Sequence, residues 1–149
     1  MAPELRLARP EEVEAIRMLI VSEGMPAMEV EEWLSHFWVL DEGGKLVGCA
    51  GIELYGEAAV LRSVMVDPSL RGTGEGQRMI TRALDDAREG GARRCYLFTM
   101  TAVDLFPRWG FERCRLDDFE PAVRESWQWR GVSEHEQLRD VLIPMRADL

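Results

Sequence analysis

The chain has 149 residues, 46% of them hydrophobic and 8% aromatic, with 7 prolines; this is apolar surface enough to offset the entropy of ordering one domain, 1–149, with none to spare for a second. Disorder and a multidomain enzyme are excluded on that ground. A formal charge of −9 argues against a nucleic-acid partner, because such binding draws on Lys and Arg neutralising phosphates.

In chain order, Glu4 to Ala8 is predicted as a strand, and Pro10 with Glu11 and Glu12 opens a helix whose apolar face is Val13, Ile16, Leu19 and Ile20. Val30, Trp33, Leu34 and Phe37 predict a short second helix running to about His36. Phe37 to Leu40, a turn at Asp41-Glu42-Gly43-Gly44, and Lys45 to Leu54 read as a hairpin. A turn at Tyr55-Gly56-Glu57 leads into Ala58 to Val66, which Asp67-Pro68 stops. Gly74 to Glu89 is a helix ended by Gly90-Gly91, and Ala92 to Met100 is a strand, so strand, crossover helix and strand make a parallel pair in a mixed sheet. A short helix from Val103 to Trp109, a strand from Phe111 to Leu116, an amphipathic helix from Asp117 to Trp127, a long loop from Trp129 to Gln137 and a strand from Asp140 to Asp148 complete the chain.

Cys49, Cys95 and Cys114 are odd in number and widely spaced, each within an apolar run, which points to a reducing compartment. The start Met-Ala-Pro-Glu-Leu-Arg has no apolar signal region, and no stretch approaches the ~18 apolar residues of a membrane span. The expected location is the cytoplasm, with no membrane partner.

Arg71-Gly72-Thr73-Gly74-Glu75-Gly76 follows a strand and opens a helix, so its glycines bring backbone N–H groups to an anion at the positive end of the helix dipole. A Walker loop fails for want of a lysine, since Gln77-Arg78 follows Gly76. A dinucleotide fingerprint fails too, because the spacing is G-x-G-x-G and comes after the fourth strand.

The run from Val66-Asp67-Pro68 through Arg71-Gly72-Thr73-Gly74-Glu75-Gly76 resembles motif A of the GNAT N-acetyltransferase superfamily. The predicted order β-α-α-β-β-β-α-β-α-β, with a C-terminal helix and strand, is that family's, and Trp109-Gly110-Phe111 falls where its "G-F" stands. The implied fold class is α/β, an α+β mixed sheet. Leu54-Tyr55-Gly56, Leu61-Arg62-Ser63, the stretch Leu97 to Ala102 and Leu105 to Phe111 are similar to the subgroup associated with arsenic-resistance operons, and through it to the acetyltransferase domain of N-acetylglutamate synthase. The resemblance implies direct acetyl transfer from acetyl-CoA to the amine of a small molecule or amino acid, with no metal and no covalent enzyme intermediate. It assigns the pantetheine and acetyl group to Met65 and Val66, and the pyrophosphate to Arg71, Gly72, Thr73, Gly74, Glu75 and Gly76. Phe106 joins the coenzyme site where many relatives carry a tyrosine that protonates the departing thiolate. It also allows a homodimer in which the last strand pairs or exchanges.

A protonated amine must lose a proton before it attacks, which calls for a carboxylate in reach. Glu53, an acid in the apolar run Gly51 to Tyr55, is the candidate; its alternatives are a solvated edge-strand acid or an ion pair with Arg62. Arg62 is either a two-pronged clamp for a substrate carboxylate or that ion-pair partner. Tyr55 or a water stands in for the missing thiolate acid. His36 and His135 lack metal-ligand spacing, and Cys49 is read as a small buried hydrophobe before a ping-pong nucleophile. Trp127 and Trp129 line the substrate mouth or cover the core. The competing function is an acyl-CoA-binding module that has lost catalysis.

Overall fold

A computed structural model describes residues 2–149. It contains strands β1 (Glu4–Leu7), β2 (Phe37–Glu42), β3 (Lys45–Tyr55), β4 (Ala58–Val66), β5 (Arg94–Thr99), β6 (Glu112–Arg113) and β7 (Ile143–Asp148). Neighbours hydrogen-bond in the order β1-β2-β3-β4-β5-β7-β6. The chain divides into two compact units, Met1–Glu53 with Leu61–Asp86, and Leu54–Val60 with Ala87–Leu149; β3 and β4 each run through both.

In the first unit β1 and β3 flank β2 antiparallel, pairing Leu5 with Leu40 and Val39 with Cys49. Helix α1 (Val13–Ser22) buries Ile16 and Ile20, four residues apart and therefore on one face. They join Val30, Phe37, Val39, Cys49 and Met65 in one apolar cluster. Phe37 stands opposite Gly51, where a Cβ would come within 2.5 Å of the ring; the glycine is there to admit the aromatic. Helix α2 (Glu75–Glu89) lays the Arg82 guanidinium over the Trp38 ring, 4.3 Å from its centroid.

Arg6 ties β1 to the chain that follows. Its guanidinium donates to both Glu12 carboxylate oxygens, at 2.9 and 2.8 Å, and to Asp41 at 2.9 Å. Those bonds from Arg6 hold both carboxyls below their ordinary range, assisted at Glu12 by the Arg9 N–H and at Asp41 by the Gly44 N–H. A folded-state value lowered below the unfolded one gives stability that is complete above the unfolded value and lost as pH falls through the folded one. The melting-temperature gap between wild type and Arg6→Gln is therefore expected to be full above about pH 5 and to close as pH drops below about 4. A gap independent of pH would refute this account.

In the second unit β4 runs parallel to β5 through Ala58/Arg94 to Val60/Tyr96, and β7 lies antiparallel to β5 on one side and β6 on the other. Ala58, Val60, Tyr96, Phe119 and Val123 form its core. Tyr96 and Phe119 rings sit 4.4 Å apart, and the Tyr96 hydroxyl donates to Glu120 at 3.0 Å.

Several predicted elements are corrected. Residues 28–33 are turns, and only Leu34–His36 makes a 3-10 turn, because Met25-Pro26 and Glu29 at φ +56° interrupt any longer helix. The helix expected from Asp117 to Trp127 is two 3-10 segments, Leu116–Asp118 and Pro121–Glu125, since Pro121 lacks an N–H and keeps Glu120 extended. Val103 to Trp109 is helical only as a 3-10 turn at Phe106–Trp109, and the strand from Phe111 to Leu116 contracts to β6. The supposed loop from Trp129 to Gln137 is instead helix: α3 (Trp127–Glu134) and α4 (Glu136–Val141). Ser126 caps α3 by accepting the Trp129 N–H, and Val132 anchors it from within. Among the described residues no helix is long and apolar enough to cross a membrane.

Candidate active site

The end of β4 and the start of α2 are joined by the glycine-containing loop. Asp67 turns the chain: its Oδ1 accepts the Ser69 N–H at 2.9 Å and the Ser69 hydroxyl at 2.7 Å, capping a 3-10 turn at Pro68–Leu70. Both donors, the backbone one foremost, hold the Asp67 carboxyl below the usual carboxylate range. The Asp67 N–H donates to the Val47 carbonyl at 2.8 Å, so β4 is tied to β3 at its end. Successive peptide groups of a strand point to opposite sides. The Val66 N–H and C=O therefore face away from β3, while the Met65 carbonyl faces Gly48, 2.9 Å from where a Cβ there would lie.

The three loop glycines have two different reasons. Gly72 and Gly74 sit at φ +81° and +87°, a region that costs a side-chain-bearing residue ~1–2 kcal/mol. A Cβ on either would meet no atom within 4 Å, so conformation selects them and the space over the loop is open. At Gly76 a Cβ would lie 2.9 Å from Val66 Cγ2; here the glycine lets the first turn of α2 close against the strand. Thr73 links the two pieces, donating its hydroxyl to the Leu70 carbonyl and accepting the Glu75 N–H at 3.3 Å.

Helix α2 has 15 residues, and its regular ladder starts with the Arg78 N–H to Gly74 carbonyl bond at 3.0 Å. The amides of Gly76 and Gln77 precede that bond and lie at the positive end of the dipole. The Glu75 carboxylate is held by Arg78 at 2.6 Å, which offsets its charge where an anion would sit. Arg71 is exposed beside the loop. An open, backbone-lined cradle at a helix start fits a pyrophosphate.

Glu53 and Arg62 meet in the same unit. Arg62 Nη1 donates to Glu53 Oε2 at 2.8 Å, and the two side chains are 3% and 0% exposed respectively. Of the readings open from sequence, the ion pair is the contact that exists. The Arg62 Nε also donates to the Ser63 hydroxyl at 3.1 Å, and its guanidinium lies 5.4 Å from the Phe37 ring centroid. Ser63 has φ +53° inside β4, a feature that no residue pattern in Leu61 to Val66 announced.

The remaining expected residues are core or surface groups. The Met65 side chain is packed into the Ile16–Phe37 cluster, which leaves it only its backbone for a ligand. Tyr55 packs partly against the Val60–Tyr96 cluster. Phe106 is buried against Trp109 and Phe111, centroids 6.2 and 5.8 Å away, and the 3-10 turn that carries it ends at Gly110 in the left-handed region. Burial pushes the Cys49 thiol up to about 12, which leaves no thiolate at neutral pH for a ping-pong route. His36 Nδ1 is bonded to Asp86 at 3.0 Å and His135 Nδ1 to the Gly131 carbonyl at 2.9 Å. Among the described residues no group of three or more His, Cys, Asp or Glu is placed to hold a metal. Trp129 covers the second core and donates its Nε1–H to the Leu116 carbonyl at 3.1 Å.

Residues 5–111 match the profile of the Acetyltransferase (GNAT) family. The chain belongs to that family. Among curated relatives, the amino-acid acetyltransferase of Mycobacterium tuberculosis is 32% identical over 119 residues, covering 73% of this chain and 68% of the relative. The amino-acid acetyltransferase of Neisseria meningitidis serogroup A is 26% identical over 108 residues, 71% of this chain but 25% of the relative. This chain thus spans about a quarter of the Neisseria protein. Among solved structures, a Mycobacterium tuberculosis protein in complex with CoA and NLQ superposes with TM-score 0.83 at 24% identity over 99% of both chains. N-acetylglutamate synthase from Neisseria gonorrhoeae, complexed with coenzyme A and N-acetyl-glutamate, gives 0.79 at 21% identity over 98% of this chain and 35% of its own. These GNAT-fold neighbours agree with the mixed sheet expected from sequence.

Proposed function

We propose that the chain acts as a single acetyltransferase domain that moves an acetyl group from acetyl-CoA directly to the amine of an amino acid or a close analogue. The observation that carries this is the Arg71–Gly76 loop: two left-handed glycines under open space, continuous with the start of α2 and with a strand end whose Val66 amide faces away from β3. Relatives named amino-acid acetyltransferases and neighbours carrying coenzyme A support the substrate class.

Acetyl-CoA supplies an activated thioester. On this reading the loop amides hold the pyrophosphate, the Met65–Val66 backbone aligns the pantetheine arm, and the Val66 N–H stabilises the charge that develops on the thioester oxygen, the term that usually weighs most in acyl transfer. The neutral amine attacks the thioester carbon, the C–S bond breaks and the nitrogen's surplus proton passes to solvent, while the thiolate, with a pKa near that of cysteine, ~8.5, departs without an obligatory acid. Phe106, where many relatives carry a tyrosine, has no proton to give. Tyr55 is the hydroxyl proposed for the thiolate, and Tyr55→Phe tests it by the alkaline limb of the pH–rate profile. The three free thiols support the cytoplasm as location. A homodimer built by exchange of the last strand would displace the two-residue β6 from β7, and sedimentation reads whether dimers form.

The deciding assay is release of CoA thiol with acetyl-CoA and a panel of amino acids and simple amines. Turnover on an amino acid, lost when its α-amine is blocked, is the expected result. Tight acetyl-CoA binding with no turnover on any member would replace the enzyme with a binding module.

A further inference from the structure

The ion pair of Glu53 and Arg62 reaches the reacting end of β4 through one residue, Ser63. Side chains alternate along a strand, so Arg62 and Met65, three apart, belong on opposite faces. Both instead lie on the face of Phe37: Arg62 over its ring, Met65 in its cluster. The left-handed φ of Ser63 is where the alternation breaks, as at a bulge, and the break shifts every group after it by one place. Because of that shift it is Val66, and not Met65, whose amide faces away from β3.

A serine at φ +53° is strained, and such strain persists where neighbours over-determine it. Here they do so from two sides. Arg62 Nε donates to the Ser63 hydroxyl at 3.1 Å, and the Cys49 thiol donates to the Ser63 carbonyl at 3.2 Å. Arg62 is in turn fixed by Glu53, whose carboxylate is fully buried.

We propose that Glu53, Arg62 and Cys49 are positioning residues that brace Ser63 in its left-handed conformation and so aim the Val66 amide, and that neither Glu53 nor Arg62 exchanges a proton or a hydrogen bond with the acceptor. This rests on the acetyltransferase reading above. It differs from a base or a clamp in what repairs its loss. If the brace only holds a backbone angle, a residue that adopts that angle unaided replaces it, and glycine is that residue.

The test compares Arg62→Gln, Glu53→Gln and each combined with Ser63→Gly. The single variants are expected to bind acetyl-CoA more weakly by calorimetry and to lose on the order of 100-fold in kcat/KM, the scale of an ångström-sized misplacement. Ser63→Gly added to either is expected to recover most of both losses, and to return the raised amide exchange at Val64 to Val66 towards wild type. The acid limb of the pH–rate profile is expected to stay where it is in Glu53→Gln. Loss of that limb, with no recovery by glycine, would make Glu53 the base and overturn the brace. Failure of glycine to restore acetyl-CoA binding would overturn it as well. Absence of turnover in the wild type, with binding lost and restored as described, would instead sink the acetyltransferase reading and leave the brace standing.

Discussion

Gly74→Asp is expected to abolish acetyl-CoA binding in a chain that still folds. Two costs fall at one position. The new side chain must hold φ near +87°, worth ~1–2 kcal/mol for a residue with a Cβ, although aspartate tolerates this region better than most. Its carboxylate then projects into the open space above the loop, where the helix amides would meet pyrophosphate, and two like charges replace an attraction by a repulsion. Together these should raise Kd by more than about 100-fold, since each 1.4 kcal/mol is tenfold. Gly74→Ala separates the terms, because it carries the strain without the charge and should keep most of the affinity at some loss of melting temperature. Gly72→Val behaves through the same backbone strain, its Cβ meeting no neighbour within 4 Å. Acetyl-CoA affinity unchanged in a folded Gly74→Asp would end the phosphate-loop reading.

The loop was legible in the sequence because its determinants are local. Glycine spacing, Asp67-Pro68 and the apolar face of α2 are read along one stretch of chain, and the same holds for the β3–β4 hairpin with its turn at Gly56. What escaped depends on bonds between distant residues. Ser63 looks like any small residue in a strand until Arg62 and Cys49 are seen to hold it from either end. The Trp127–Glu134 helix is hidden in the sequence because Gly131 and its polar neighbours favour loop, whereas the Ser126 cap and the buried Val132 outweigh their weak propensity. At Asp117 to Trp127 the reverse holds: the amphipathic spacing suggests a helix, but Pro121, with its missing N–H and steric demand on Glu120, breaks the ladder.

Removing either partner of the Glu53–Arg62 pair is expected to destabilise the fold by about 3–5 kcal/mol, because the survivor is left cut off from water without its partner. The two groups are nine residues apart across the hairpin and bonded at 2.8 Å, with almost no exposure to recover solvation. Arg62→Met leaves a buried carboxylate; Glu53→Leu leaves a buried guanidinium with Phe37 and Ser63 as its remaining neighbours among the contacts described above. The double variant Glu53→Leu with Arg62→Met removes both charges and keeps roughly the same volume, and should recover most of the loss, since apolar replacement of a buried pair is often neutral or better. Urea unfolding of the four proteins closes the cycle, and the expected coupling is on the order of 3 kcal/mol, well above the scatter of independent sites. A carboxylate standing in solvent as a free acid would give single effects below about 1 kcal/mol that simply add. Stability and activity should then part company in the double variant: the fold returns, while the Val66 amide, no longer braced through Ser63, stays misaimed and acetyl transfer remains slow.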